Sequence, residues 1–188
     1  MTDKISILGI AGSLRKGSFN KAILRAAVEM APPDAQIEIF DIEGIAPFSE
    51  DTEQQPSEKL KAFKEKIRAA DAILIATPEY NYSMPGVLKN AIDSASRPYG
   101  DNAWDGKPAA IMGASIGMLG TARAQYHLRQ SMVFLNMHPM NGPEVMVPYA
   151  QKKVDEKGRL TDEETRKRIG ELVKALVAHA RKLRKQQM

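Results

Sequence analysis

Residues 9–24, GIAGSLRKGSFNKAIL, gather glycines, hydroxyls and cations in a short span just after the apolar run ISIL. Ser13, Ser18 and Asn20 offer hydrogen-bonding side chains, and Arg15 offers a forked positive charge suited to a phosphate. That phosphate could be one end of a dinucleotide, the terminal phosphate of ATP, or the monophosphate of a flavin. A P-loop needs four residues between its glycines and then Gly-Lys-Ser/Thr. Here the order is Lys-Gly-Ser at 16–18. The dinucleotide fingerprint needs G-x-G-x-x-G and an acid about 20 residues further on. Gly9 and Gly12 have the wrong spacing, Gly17 comes too late, and Asp41 lies 29 positions after Gly12. A flavin monophosphate fits better, because hydroxyls and N–H groups at a helix N-terminus can enclose its terminal phosphate. Ser18 or Asn20 alone would read as an ordinary helix cap. The four polar residues together point to phosphate binding.

A second segment, TPEYNYSMPGVLKNAID, follows the apolar run AILIAT at 72–77. Residues 78–82, which include Glu79, Tyr80, Asn81 and Tyr82, would lie where a sheet meets solvent. They could supply flat packing partners and backbone donors for a planar ring. An equally good reading is a turn whose tyrosines cover a helix end. A third segment, GASIGMLGTARAQYHLRQ, is punctuated by Ser115, Gly117 and Gly120, and glycine there would let backbone approach a flat ligand. No Ser–His–Asp set or carboxylate pair stands out, so no acid, base or nucleophile is assigned. His127 and His138 lack companions at metal-ligand spacing and read as structural.

These segments need a scaffold. Short apolar runs at 4–10, 36–42, 72–77, 108–115 and 144–148 read as strands. Stretches with helical periodicity follow them, at 20–31, 57–70, from Pro85 onward, at 121–136, and in a long C-terminal stripe from Ile169 to Leu183. Pro85 suits the first helical position. Thr161 and Glu164 match a capping box. Residues 149–160, YAQKKVDEKGRL, read as an exposed excursion turning near Gly158. Five β-α repeats imply right-handed crossovers and a parallel sheet covered on both faces, with ligands beyond the carboxyl ends of the strands. The three segments above are the connections at that end. No repeat, low-complexity tract or linker marks a second unit, so a single α/β domain over 1–188 is expected.

The chain has 188 residues and no cysteine, which excludes disulfides, thiolate metal ligands and a cysteine nucleophile. No apolar run is long enough for a bilayer. The opening MTDKISILGI does not resemble a secretory leader, so a cytoplasmic location is expected. The net charge of +4 resides in Arg181, Lys182, Arg184 and Lys185. Without these four, 27 basic residues become 23, equal to the 23 acidic ones. The tail therefore reads as a solvated helix end that complements the helix dipole, not as a nucleic-acid surface.

GSLRKGSFN joined to PEYNYSMPGVLKNAID resembles the NADPH-dependent FMN reductase family, which includes bacterial quinone, azo-dye and chromate reductases. The resemblance covers essentially the whole chain. It implies a flavodoxin-like fold with a five-stranded parallel sheet in the order 2-1-3-4-5. It also implies bound FMN, with NAD(P)H as hydride donor and a quinone-like, flavin, azo or chromate acceptor. Ser13, Arg15, Ser18, Phe19 and Asn20 are then phosphate-side residues. Pro78, Glu79, Tyr80, Asn81 and Tyr82 are ring-side residues, and Ser115 and Gly117 belong to a Ser/Gly-rich loop beside the flavin. Ile116 and Leu119 stand where the family often has adjacent glycines. The resemblance further implies a homodimer or homotetramer, with Arg123, Tyr126, Arg129 and Glu144 as interface candidates. No nucleic acid or membrane partner is expected. The alternative is a non-enzymatic electron carrier of flavodoxin type, but such carriers need an acidic docking face and this body is neutral.

Overall fold

The computed structural model describes residues 4–186. Strand β1 (Ile5–Ala11) leads through the glycine-rich connection into helix α1 (Phe19–Glu29), and β2 (Ala35–Phe40) follows. Helix α2 (Glu58–Ala69), β3 (Ala72–Ala76), α3 (Gly86–Ala95), β4 (Pro108–Ala114) and α4 (Ala122–Phe134) continue the alternation. Two short strands, β5 (His138–Pro139) and β6 (Val145–Val147), precede the long α5 (Glu163–Gln186). Every named strand pair is parallel, and the order is β2-β1-β3-β4-β5, with β6 also on β4. This is the expected order, 2-1-3-4-5.

The alternation of side chains along the strands builds two cores. Leu74 and Met112 pack with Ile23, Leu24, Val173 and Leu176, beneath α1 and α5. Ile73, Ile75 and Ile111 pack with Phe63, Ile67, Trp104 and Leu128, beneath α2, α3 and α4. β3 is buried along its whole length, as a central parallel strand must be.

Several local expectations are corrected. The fifth strand is not one run over 144–148. His138–Pro139 pairs with the start of β4 and Val145–Val147 with its end. Pro139 and Pro143 have no N–H to give a continuous ladder. The cap of α5 is Asp162, whose Oδ1 accepts from Thr165 N at 3.0 Å, while the Thr161 hydroxyl donates to Lys153 O at 3.2 Å. Pro85 sits at the N-cap of α3, one residue before the helix. The 149–160 segment is no mere surface excursion. Ala150 and Leu160 are buried in the core, and the segment is anchored where Arg25 donates to Gly158 O at 2.9 Å.

The C-terminal cations are partly paired at the amino end of the sheet. Arg181 meets Asp34 at 2.7 Å and Arg184 meets Asp71 at 2.6 Å. No helix among the described residues is long and apolar enough to cross a membrane.

Candidate functional site

At the carboxyl ends of β1, β3 and β4 the three connections converge on a cavity of about 290 Å³. Its wall holds Ser13, Arg15, Ser18, Phe19 and Asn20 from the first connection, Pro78, Glu79 and Tyr80 from the second, and Ser115 from the third. Ala114 and Ile116 complete it. Sequence reasoning passed over Ala114 because it reads as strand core, and took Ile116 only as a departure from a glycine pattern. Asn81, Tyr82 and Gly117 do not line this cavity.

The start of α1 is built to leave donors free. The first N–H groups of a helix have no partner within it. Ser18 caps α1: its Oγ accepts from Lys21 N at 3.3 Å and its carbonyl from Ala22 N at 3.0 Å. Among the described residues, no protein acceptor meets the N–H groups of Phe19 and Asn20, which belong to residues in the cavity wall. The cap reading and the phosphate reading of Ser18 are therefore compatible. Arg15 is exposed, and its guanidinium lies 5.9 Å from the centre of the Phe19 ring. Ser13 is buried, and its Oγ accepts from Arg15 N at 3.3 Å.

Asn20 is fixed across the sheet. Its Nδ2 donates to Ala114 O and its Oδ1 accepts from Ala114 N, both at 2.9 Å. The side chain is buried and continues β4 by one ladder step, so the end of β4 and the start of α1 are held together.

Glu79 does something sequence reasoning did not anticipate. Its side chain is 7% exposed. Its carboxylate accepts from Arg123 N at 3.1 Å, Ala124 N at 3.2 Å and Arg123 Nε at 2.6 Å. Thr121, the residue before α4, has a left-handed backbone (φ 77°) and makes no side-chain cap. Glu79 supplies the missing cap from another connection, and its charge suits the positive end of the helix dipole. Glu79 also holds the Arg123 guanidinium above its already high pKa, chiefly through their hydrogen bond.

The second connection turns tightly beyond Glu79. Tyr80 N donates to Ser83 O (3.0 Å) and Ser83 N to Tyr80 O (2.9 Å), with Asn81 at φ 50° and Tyr82 at φ 66°. Two successive left-handed residues define a primed hairpin turn. Asn tolerates this conformation, whereas Tyr is strained there. The Arg123 guanidinium lies 3.5 Å over the Tyr82 ring, and Ser83 Oγ is 2.7 Å from His127 Nδ1. These two contacts, with the Glu79 cap, bolt the second connection to α4. Gly120 (φ 54°) lies so close to β6 that a Cβ would come within 2.7 Å of the Met146 and Val147 backbone.

Of the interface candidates, Arg123, Tyr126 and Glu144 find partners within one chain. Tyr126 OH donates to Glu144 at 2.8 Å, and this hydrogen bond holds the phenol above its usual pKa. His138 accepts at its backbone carbonyl from His179 Nε2 at 2.9 Å. No group of His, Asp and Glu able to hold a metal occurs among the described residues.

The family model described as NADPH-dependent FMN reductase matches residues 5–152. The chain belongs to the NADPH-dependent FMN reductase family. It is 55% identical over 187 residues to the NAD(P)H-dependent FMN reductase of Pseudomonas aeruginosa, across 98% of this chain and 100% of that one. It is 46% identical over 163 residues to the 2-hydroxy-1,4-benzoquinone reductase of a Burkholderia species, across 87% and 89%. Among solved structures, FerB of Paracoccus denitrificans, a flavoenzyme NAD(P)H:(acceptor) oxidoreductase, superposes with a TM-score of 0.87. That pair is 35% identical, over 95% of this chain and 98% of FerB.

Proposed function

We propose that this family member holds FMN in the cavity at the carboxyl ends of β1, β3 and β4 and reduces quinones with electrons from NAD(P)H. The observation that carries this reading is the pair of unpartnered N–H groups at the start of α1, flanked by the Ser13 and Ser18 hydroxyls and Arg15. The start of α4, capped by Glu79, offers no comparable opening. A phosphate monoester matches that donor set in charge and geometry. The wall made by Pro78, Tyr80, Ser115 and Ile116 suits a flat ring. These residues fit FMN.

Bound FMN supplies the redox chemistry, receiving electrons from the nicotinamide and releasing them to an acceptor. The chain's own residues bind and orient. Ser13, Arg15, Ser18 and the α1 amides hold the phosphate end. The Asn20–Ala114 and Glu79–α4 contacts fix the three connections relative to one another.

The rim favours flat, uncharged acceptors. Tyr80, Tyr82, Ile116 and Met118 are exposed there. Arg123, at the start of α4, is already paired with Glu79 and stacked on Tyr82. Quinones, flavins and azo dyes suit such a rim better than chromate, an oxyanion that needs free positive charge. On α4, Tyr126, Val133 and Phe134 are exposed, with Val133 and Phe134 at 79% and 81%. We propose that a second copy of the chain covers them in a dimer or tetramer. A cytoplasmic location suits a cysteine-free consumer of NAD(P)H.

Anaerobic mixing of the FMN-reconstituted protein with NADPH tests the activity. The yellow flavin absorbance should bleach and return when a benzoquinone is added. An absorbance that stays unbleached would refute the assignment.

A further inference from the structure

We propose that the surface formed by the third connection and the turn after β6 receives the adenosine end of NADPH, with the adenine on Tyr149 and the 2′-phosphate on Lys152. The inference rests on the reading of the cavity as an FMN site served by NAD(P)H, and extends it to the choice between the two nicotinamide cofactors. Once FMN fills the cavity of about 290 Å³, only the nicotinamide can enter at its mouth. The adenosine end must then lie on the surface beside it. Ile116, in the cavity wall, is exposed, as are Met118 and Leu119 after it. Tyr149 continues this apolar patch. Its N–H donates to Gly117 O at 3.4 Å, and Ala150 N donates to Ser115 O at 3.0 Å. Tyr149 is thus held against a loop whose first residues line the cavity, while standing outside the wall itself. The Tyr149 backbone is left-handed, with φ 51° and ψ 42°, and the residue is 45% exposed. A bulky side chain is an outlier in that conformation. Strained residues of this kind gather at ligand clamps, and an exposed aromatic ring is a platform on which a base stacks.

Lys152 selects the occupant. The turn Ala150–Lys152 begins directly after Tyr149 and brings Lys152 Nζ to 5.6 Å from the centre of the Tyr149 ring. Lys152 is exposed, and among the described residues no carboxylate pairs with it, whereas its neighbour Lys153 is held by Asp162 at 2.9 Å. The other cations around the cavity are engaged. Arg123 is paired with Glu79, and Arg15 and Lys16 stand on the first connection, at the phosphate end of the flavin. An unpaired ammonium beside an exposed aromatic ring suits a flat ring with an anion close to it. In NADPH the 2′-phosphate sits on the ribose that carries the adenine, so stacking the base on Tyr149 brings that phosphate to Lys152. NADH has a hydroxyl in its place and leaves Lys152 without a partner.

The test is a calorimetric titration of the FMN-reconstituted protein with adenosine 2′,5′-bisphosphate and with 5′-AMP. The bisphosphate should bind about 3- to 10-fold more tightly, the worth of one charge-assisted contact screened by water. Lys152→Gln should bind the two equally. Tyr149→Asn keeps a residue that tolerates the left-handed turn and should weaken both about 5- to 10-fold, the low end of base stacking on an aromatic ring. With a benzoquinone as acceptor, Lys152→Gln should raise the KM for NADPH about 3- to 10-fold, while the KM for NADH changes by less than about twofold. Lys152 is exposed, so its variant decides alone should Tyr149→Asn fail to fold. Equal affinity of the parent for the two nucleotides, or a preference that survives in Lys152→Gln, would overturn the proposal. Bleaching of the flavin by NADPH depends on neither outcome, so the failure of this inference and the failure of the FMN reading are told apart.

Discussion

Replacing Glu79 with alanine separates two roles for this residue, a ring contact or the cap of α4. The substitution removes the acceptor for two α4 amides, at 3.1 and 3.2 Å, and the partner of Arg123. Loss of a helix cap costs about 0.5–2 kcal/mol. A hydrogen bond to a charged group adds about 1.5–3 kcal/mol, but Arg123 is 39% exposed and water recovers part of that. A net destabilisation of about 2–3 kcal/mol is therefore expected, or about 5–10 °C in Tm for a chain of this length. Glu79→Gln keeps a neutral acceptor for the amides and should lose about half as much. Thermal unfolding followed by circular dichroism, without FMN, reads this directly. If Glu79→Ala unfolds within about 0.5 kcal/mol of the parent while FMN binding weakens, the capping account is wrong and the residue acts on the ring.

Arg15→Ala should weaken FMN binding about 10- to 100-fold, the worth of a charge-assisted contact. Because Arg15 is exposed, the Tm of the FMN-free protein should not move. Flavin fluorescence titration measures the first and calorimetry the second. Asn20→Ala leaves the Ala114 N–H and C=O without their 2.9 Å partners and should cost about 2–4 kcal/mol in urea denaturation. Acid should also destabilise the protein in a defined way. The hydrogen bond from Thr165, then that from Lys153, holds the Asp162 carboxyl below the usual range, and Lys64 does the same for Asp101. Folded-state values below the unfolded ones mean stability that is complete above the ordinary carboxylate pKa of about 3.9. It is lost as pH falls through the lowered values. Urea midpoints should fall below about pH 5 in the parent and less steeply in Asp162→Asn.

The parallel strands and their converging connections were legible because buried parallel strands read as continuous apolar runs, as in AILIA of β3, whereas the strand order followed from the family resemblance. The first connection was legible for a similar local reason: the polar groups that line it lie within eight residues, Ser13 to Asn20. The role of Glu79 was not, since its partners lie 44 and 45 positions away and meet it only once the sheet has formed. The same holds for Asn20, whose carboxamide reaches 94 positions to Ala114. Tyr82 suggested a ring-stacking surface by its type. The left-handed turn instead sets it against Arg123. The fifth strand read as one run because VMV is strongly β-forming, while β5 is two residues long and ends on Pro139. In 149–160 the charged residues masked Ala150 and Leu160, whose burial depends on α5 lying alongside.

The most direct measurement is a titration of the FMN-free protein with FMN, read by flavin fluorescence and repeated with riboflavin, which lacks the phosphate. Saturable uptake of one FMN per chain, with riboflavin bound far more weakly, is the expected result. Failure to take up FMN, or equal affinity for the two flavins, would contradict a phosphate anchored at the start of α1.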